Sequence, residues 1–262
     1  MGTSFVAEAA REAAALFRHG AMRPGGFTVA GRDDAVRARR DDHTLWLHEY
    51  LDAVGGPERG GTSTLLALDQ ALSRFGESVV DELSALGRDE PMGRADDGSP
   101  LHYTGRTDSM VACYPGGGAA YGPHIDNMDG DGRTGLDHGR CFTLVYYLNP
   151  ATWDTQRDGG ALRLYAEAPG CEQQRRGAGG GSALQSARLG AGAAALARNE
   201  AIDVPPLGDH FVIFRADKLL HEVRPATAKR LAITVWLYGG TKEQRARQRE
   251  SSEIAARRGA AT

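Results

Sequence analysis

Cysteine is scarce: Cys113, Cys141 and Cys171 are the three in 262 residues, and none stands in CxxC spacing. That argues against a disulfide frame or a zinc ribbon, and for buried or free thiols in a reducing compartment. No stretch approaches the roughly 20 apolar residues that a membrane-spanning helix needs. Neither sign of charge dominates. The formal net charge is −3, so nothing points to nucleic acid held by bulk electrostatics. Aromatic residues make up 7%, slightly low, while charged residues at 25% are near the globular average, so one sizeable core is feasible. Residues 1–18 lack a basic leader, an apolar run and a cleavage site, so they do not read as a signal peptide, and the expected location is cytoplasmic or nuclear.

Glycine is plentiful, at 35 residues, which favours turns over a helical bundle. The helices come first. Residues 3–19 read as a helix that Thr3 or Ser4 caps, with Val6, Ala10, Leu16 and Phe17 as an apolar stripe and Gly20 as its stop. Residues 61–86 repeat the pattern behind Thr62 and Ser63, with Leu65, Leu66, Leu68, Leu72 and Phe75 on one side. Between them, 30–46 is a mixed-charge run read as a solvated loop or short strand. From residue 101 the texture changes to short apolar runs between Gly, Asp, Asn and Pro clusters, at 108–115, 141–149, 160–165, 210–215 and 231–238. Such runs predict an antiparallel sandwich or barrel. The fold class is therefore α+β, a jelly roll braced by N-terminal helices. We divide the chain into helical support (1–100, with a loop near 32–46), a β-domain (101–245) and a charged tail (246–262). The Gly/Ala-rich segment 168–201 reads as a mobile insertion between two strands.

His124-Ile125-Asp126 sets an imidazole and a carboxylate two residues apart, on one face if the segment is a strand. Alone, His-x-Asp is weak, and a surface turn is the default reading. His221 supplies a second imidazole, and two histidines with one carboxylate leave open positions on a non-haem iron. His210 and His138 are rivals, but His210 has no guanidinium partner downstream and His138 lies in a Gly/Asp-rich stretch. Arg230 changes the balance. After the turn signal at Pro225 it opens a strand in which Arg230, Ala232, Thr234 and Trp236 share one face, while Leu231, Ile233, Val235 and Leu237 share the other. An arginine, a hydroxyl and an indole are costly in a barrel interior unless a ligand satisfies them. A guanidinium fork suits a carboxylate, here the distal one of 2-oxoglutarate. Met110, Ala112 and Tyr114, and Thr143, Val145 and Tyr147, form similar series, each ending in a tyrosine.

These residues lie in longer motifs: Met110-Val-Ala-Cys-Tyr-Pro-Gly, His124-Ile-Asp-Asn, Gly130-Asp-Gly-Arg, Tyr146-Tyr-Leu-Asn, Gly159-Gly-Ala-Leu-Arg, His221-Glu-Val-Arg-Pro-Ala and Ala232-Ile-Thr-Val-Trp. Together they closely resemble the hypoxia-inducible-factor prolyl hydroxylases, over about 100–245 and more loosely over 35–100. The resemblance implies a double-stranded β-helix, cupin-like, with Fe(II) on His124, Asp126 and His221. It implies Arg230 and Tyr147 on the distal carboxylate of 2-oxoglutarate, with Tyr114, Met110, Val145, Leu162 and Thr234 lining its pocket. Tyr121, Arg140 and Trp236 match positions around the target proline, and Asp42 matches a loop acid that pairs with the arginine matched by Arg140. The activity implied is hydroxylation of a prolyl residue at C4 in an intracellular protein, consuming 2-oxoglutarate and O2 and yielding succinate and CO2. Ascorbate is the expected reductant, the expected state is monomeric, and oxygen sensing is a role consistent with the family. A ubiquitin-ligase subunit and elongation factor Tu are substrates of related enzymes outside animals. The long 168–201 insertion and the absence of a preceding zinc finger set the chain apart from the animal enzymes. A relative acting on a small molecule or another residue type, an idle jelly-roll binding module, and a zinc hydrolase are the other readings.

Overall fold

The computed structural model describes residues 1–25, 40–85, 100, 102–127, 139–165, 201–216 and 218–240; the side chains of 77, 81 and 83–85 lie outside that set. The expected insertion at 168–201, but for Ala201, and the tail at 246–262 fall outside the described residues.

Helix α1 (Thr3–Arg18) buries Val6, Ala9, Ala13 and Leu16 along one stripe. Its cap differs from the expectation. Thr3 and Ser4 lie inside the helix, Gly2 is the N-cap, and the Gly2 amide donates to the Asp209 carboxylate. After β1 (Arg23–Pro24) comes β2 (His43–Trp46), so the end of the mixed-charge run is a strand. Short helices α2 (Leu47–Val54) and α3 (Pro57–Gly60) follow. Helix α4 (Ser63–Ala85) fills the second expected helix. Its first amides are capped by a different partner than Thr62 or Ser63: Thr64 and Leu65 donate to the two carboxylate oxygens of Glu12, at 2.9 and 2.8 Å. A carboxylate from α1 suits this end because a helix N-terminus carries unpaired donors and partial positive charge. Gly76 sits where a Cβ would meet Leu237 at 2.9 Å, so the missing side chain lets α4 approach the sheet.

The remaining strands are β3 (His102–Arg106), β4 (Met110–Tyr114), β5 (Ala119–His124), β6 (Arg140–Tyr147), β7 (Leu162–Tyr165), β8 (Ala201–Val204), β9 (Phe211–Arg215), β10 (His221–Ala226) and β11 (Arg230–Gly240). They form two sheets. The larger runs β1-β2-β4-β11-β6-β9, with β3 also paired to β11; the smaller runs β5-β10-β7-β8. All described pairings are antiparallel. This is the expected double-stranded β-helix. The helices cover the outer face of the larger sheet, where Leu65, Leu68 and Leu72 of α4 meet Val111, Leu144, Ile233 and Val235. A second apolar layer lies between the sheets and includes Ala112, Tyr114, Val145, Tyr147, Leu162, Phe214, Val223 and Ala232. The alternation along β11 thus divides the core in two: odd residues face the helices, even residues face the interior.

Candidate functional site

Strands β5 and β10 pair so that His124 stands opposite His221. His124 is the last residue of β5, and Asp126 lies in the bend beyond it, so strand geometry is not what aligns the two, contrary to the sequence reading. His221 opens β10, a strand that the reading had not placed. The bend brings Asp126 Oδ1 within 3.4 Å of His124 Nε2, and Oδ2 within 3.7 Å of His221 Nε2. The three donor atoms lie within 4.8 Å of one another.

Each imidazole is oriented from behind. His124 Nδ1 lies 2.9 Å from the Gly122 carbonyl and His221 Nδ1 3.0 Å from that of Leu219. A carbonyl only accepts, so Nδ1 carries the proton and Nε2 offers its lone pair. Burial, followed by the neighbouring His124, pulls His221 down to about 4, so it stays neutral near pH 7. Burial works to raise Asp126, but the two histidines and the Thr143 hydroxyl outweigh it and hold the carboxyl well below its ordinary range. Thr143 on β6 donates to Asp126 Oδ2 at 2.5 Å, and Phe214 on β9 meets the His221 ring edge-on at 4.6 Å. Residues of the larger sheet therefore touch the group from across the interior. Neutral imidazoles and an ionised carboxylate are the states in which these ligands bind a divalent ion.

A second cluster, His48, Asp69 and Asp108, is also compact. Its acceptors are already taken: Asp69 receives Ser109 Oγ at 2.6 Å and Arg106 at 2.8 Å, and Asp108 Oδ2 receives the His48 amide. We read it as a structural tie.

On β11, register sets Arg230 opposite Tyr114, Ala232 opposite Ala112 and Tyr147, and Thr234 opposite Met110 and Val145. The predicted parity of the three strands is what the structure has. Arg230 is 2% exposed; its Nε donates to the Gly160 carbonyl at 2.8 Å, and its guanidinium carbon lies 5.0 and 5.1 Å from the Tyr114 and Tyr147 ring centres. Among the described residues it has no carboxylate partner. Tyr147 Oη is buried and likewise has no hydrogen-bond partner there. Burial raises the Tyr114 and Tyr147 phenols, so both remain protonated donors. A buried cation with no counter-charge and a buried hydroxyl with no partner are expensive unless an anion arrives. Leu162 is buried within the same apolar layer, and Met110, partly buried, packs against it.

The residues matched to positions around the target proline pack against one another and against His124. The Tyr121 ring stacks flat on His124, with centroids 3.6 Å apart and planes at 10°. Arg140 lies over Trp236 at 4.1 Å, and Trp46 packs against Trp236 at 6.0 Å. Asp42 does not pair with Arg140. It takes the Arg40 fork at 2.8 and 3.2 Å, because the nearer arginine is two residues away along the chain. Three contributors were not singled out from sequence: Thr143 as a donor to Asp126, Arg40, and the Gly159-Gly160 pair. Both glycines have positive φ; a Cβ would lie 2.2 Å from the Pro225 carbonyl at Gly159 and 2.9 Å from Arg230 Cδ at Gly160. The doubled glycine was the available signal, as a mark of close backbone approach.

The family model for the 2OG-Fe(II) oxygenase superfamily matches residues 109–238. Prolyl hydroxylase EGLN3 of Homo sapiens is 30% identical over 238 residues, covering 88% of this chain and 72% of that protein. Egl nine homolog 1 of Homo sapiens is 38% identical over 144 residues, 55% of this chain but 25% of that longer protein. A solved prolyl hydroxylase from Trichoplax adhaerens, in complex with a hypoxia-inducible-factor oxygen degradation domain peptide fragment, is 28% identical with a TM-score of 0.59. It covers 94% of this chain and 82% of its own.

Proposed function

Because the chain belongs to the 2OG-Fe(II) oxygenase superfamily, in its prolyl-hydroxylase branch, we propose that His124, Asp126 and His221 hold its ferrous ion and that Arg230 and Tyr147 grip the far carboxylate of 2-oxoglutarate. The reaction is hydroxylation of a prolyl residue in a protein or peptide. The observation that carries this reading is a buried guanidinium with no carboxylate partner among the described residues, beside a buried phenol with no hydrogen-bond partner there, on the interior face that the two histidines and the aspartate also meet. When bound, the iron with 2-oxoglutarate and O2 supplies an oxidative decarboxylation that yields succinate, CO2 and one oxygen atom for a proline C–H bond.

The protein's part is geometry. The Gly122 and Leu219 carbonyls hold both imidazoles with Nε2 toward Asp126, and Thr143 restrains the carboxylate. Arg230 fixes a diacid at its unreactive end, with the Gly160 carbonyl holding Nε so that the terminal nitrogens face the ligand. Tyr114, Met110, Val145, Leu162 and Thr234 shape the pocket and exclude water. Trp236 stands farther along the same face of β11, with Arg140 of β6 and Trp46 of β2 packed against it, where an extended peptide would lie. The proposal extends, on the resemblance of the motifs, to C4 as the position attacked, ascorbate as reductant, a monomeric cytoplasmic enzyme and a role in the response to oxygen. Among the described residues no helix is long and apolar enough to cross a membrane.

The test is anaerobic loading with Fe(II), addition of O2, 2-oxoglutarate and proline-containing peptides, and detection of succinate together with one added oxygen on proline. His124→Ala should abolish turnover. Arg230→Ala should raise the 2-oxoglutarate KM by about 100-fold, as expected for removing one partner of a buried charge-assisted pair. Succinate without hydroxyproline on any peptide or protein would favour a small-molecule substrate, and unchanged kinetics in both variants would remove the site assignment.

A further inference from the structure

We propose that Arg40 is a positioning residue for the His124 imidazole, acting through the ring of Tyr121. This rests on the reading of His124 as an iron ligand. The three groups form a stack. One face of the Tyr121 ring lies flat on His124, at 3.6 Å and 10°, and Arg40 lies over the ring at 4.7 Å, on the face that His124 leaves open.

Arg40 is fixed where it stands. Asp42, buried, accepts from Arg40 Nε at 2.8 Å and from a terminal nitrogen at 3.2 Å, and the same terminal nitrogen reaches Met110 Sδ at 3.9 Å. The backbone is pinned too. Arg40 bridges Tyr121, the Asp41 amide donates to the Ala120 carbonyl, and the Ala120 amide donates to Asp41 Oδ2. Residues 40–42 therefore strap β5, in the smaller sheet, to β2, in the larger one.

The geometry gives the stack a task that the Nδ1 bond of His124 leaves undone, and the His221 ring, 4.2 Å away and tilted at 54°, offers no flat face for it. The bond from Nδ1 to the Gly122 carbonyl sets where the imidazole points within its own plane. It resists tilting of that plane only weakly. A ring pressed flat against one face does resist tilt, and a guanidinium against the far side keeps that ring in place through cation–π attraction. His221 has a different arrangement, with Phe214 meeting it edge-on at 61°. The strap thus acts on one ligand of the pair. Tyr121, matched in sequence to a position around the target proline, has both ring faces occupied.

The experiment titrates the full chain anaerobically with Co(II), following the d–d absorption for affinity and band shape, with no 2-oxoglutarate or O2 present. The variants are Tyr121→Leu, Tyr121→Phe, and Arg40→Met combined with Asp42→Asn so that no buried charge is left alone. Tyr121→Leu and the double variant should each weaken Co(II) binding roughly 10-fold and shift the band, in the range for groups that orient a metal ligand. Tyr121→Phe, which keeps the stack, should stay within roughly 2-fold of the parent. Parent-like Co(II) binding in Tyr121→Leu overturns the proposal, as does an equal loss in Tyr121→Phe. Thermal melting shows whether the double variant folds; should it not, the two Tyr121 variants decide. His124→Ala separates the two levels of inference. If it binds Co(II) like the parent, the ligand assignment itself falls and the proposal with it; if it loses Co(II) while the stack variants do not, only the role of Arg40 falls.

Discussion

Tyr147 and Arg230 show how a single side chain can be costly for the folded state and useful for binding. The Tyr147 hydroxyl has no partner among the described residues, so Tyr147→Phe should leave the melting temperature of the ligand-free protein unchanged or slightly higher. The same substitution should raise the 2-oxoglutarate KM about 5-fold, the loss of roughly one net hydrogen bond. Calorimetry and steady-state kinetics on one preparation test both signs. Arg230 was legible from sequence because its strand alternates strictly and a cation stood on the face where an apolar residue was expected. Thr143 was half legible: its parity was plain, but its bond to Asp126 joins β6 to the bend after β5, and no local pattern reports a contact between sheets. The mistaken partner for Asp42 has the same origin, since the two candidate arginines differ in where the fold carries them and not in their chemistry.

At the scale of elements, β4, β6, β7, β9 and β11 could be read from their apolar runs, whereas β5 and β10 could not. β5 contains Gly122 and Pro123, and β10 contains Pro225, all of which signal turns. They are strands because their neighbours supply the pairing, and the register of β10 against β5 shifts between Val223 and Ala226, where a proline is tolerated. The glycines between strands carry the most exposed dependence. Gly159→Ala would press a Cβ into the Pro225 carbonyl from a backbone at φ +68°, forcing the end of β10 and with it Arg230 to move. We expect a cost of about 2 kcal/mol and a larger fall in 2-oxoglutarate affinity than in metal affinity, measured by melting and by titration of each ligand. The tie at Asp69 belongs to this scale too. Burial works to raise its carboxyl, but Ser109, His48 and Arg106 more than offset that and hold it below 3.8. A depressed carboxyl contributes stability that is present above its unfolded value and lost as pH falls through its folded value. Asp69→Asn should therefore cost about 2 kcal/mol at neutral pH. The gap from the parent should close as acid takes the pH below 3.8, read from unfolding at a series of pH values.

For the whole molecule, the two halves of the proposed site draw on different sheets. His124 and His221 come from β5 and β10 of the smaller one; Tyr114, Tyr147 and Arg230 come from β4, β6 and β11 of the larger. Metal followed by 2-oxoglutarate, each at about 100 times its Kd, should add about 2.7 kcal/mol apiece. For a chain of this size that is roughly 5–10 °C in melting temperature per ligand. Arg230→Ala should keep the metal increment and lose most of the second. A five-carbon diacid held at one end by each layer would serve as a rivet through the sandwich. Its arrival should then slow amide exchange in both layers at once, β5 and β10 together with β4, β6 and β11, whereas an ion alone would quieten chiefly the smaller sheet. With the rivet out, the strap at residues 40–42 and the Thr143 bond to Asp126 still tie the layers at this end, and exchange should be faster in both.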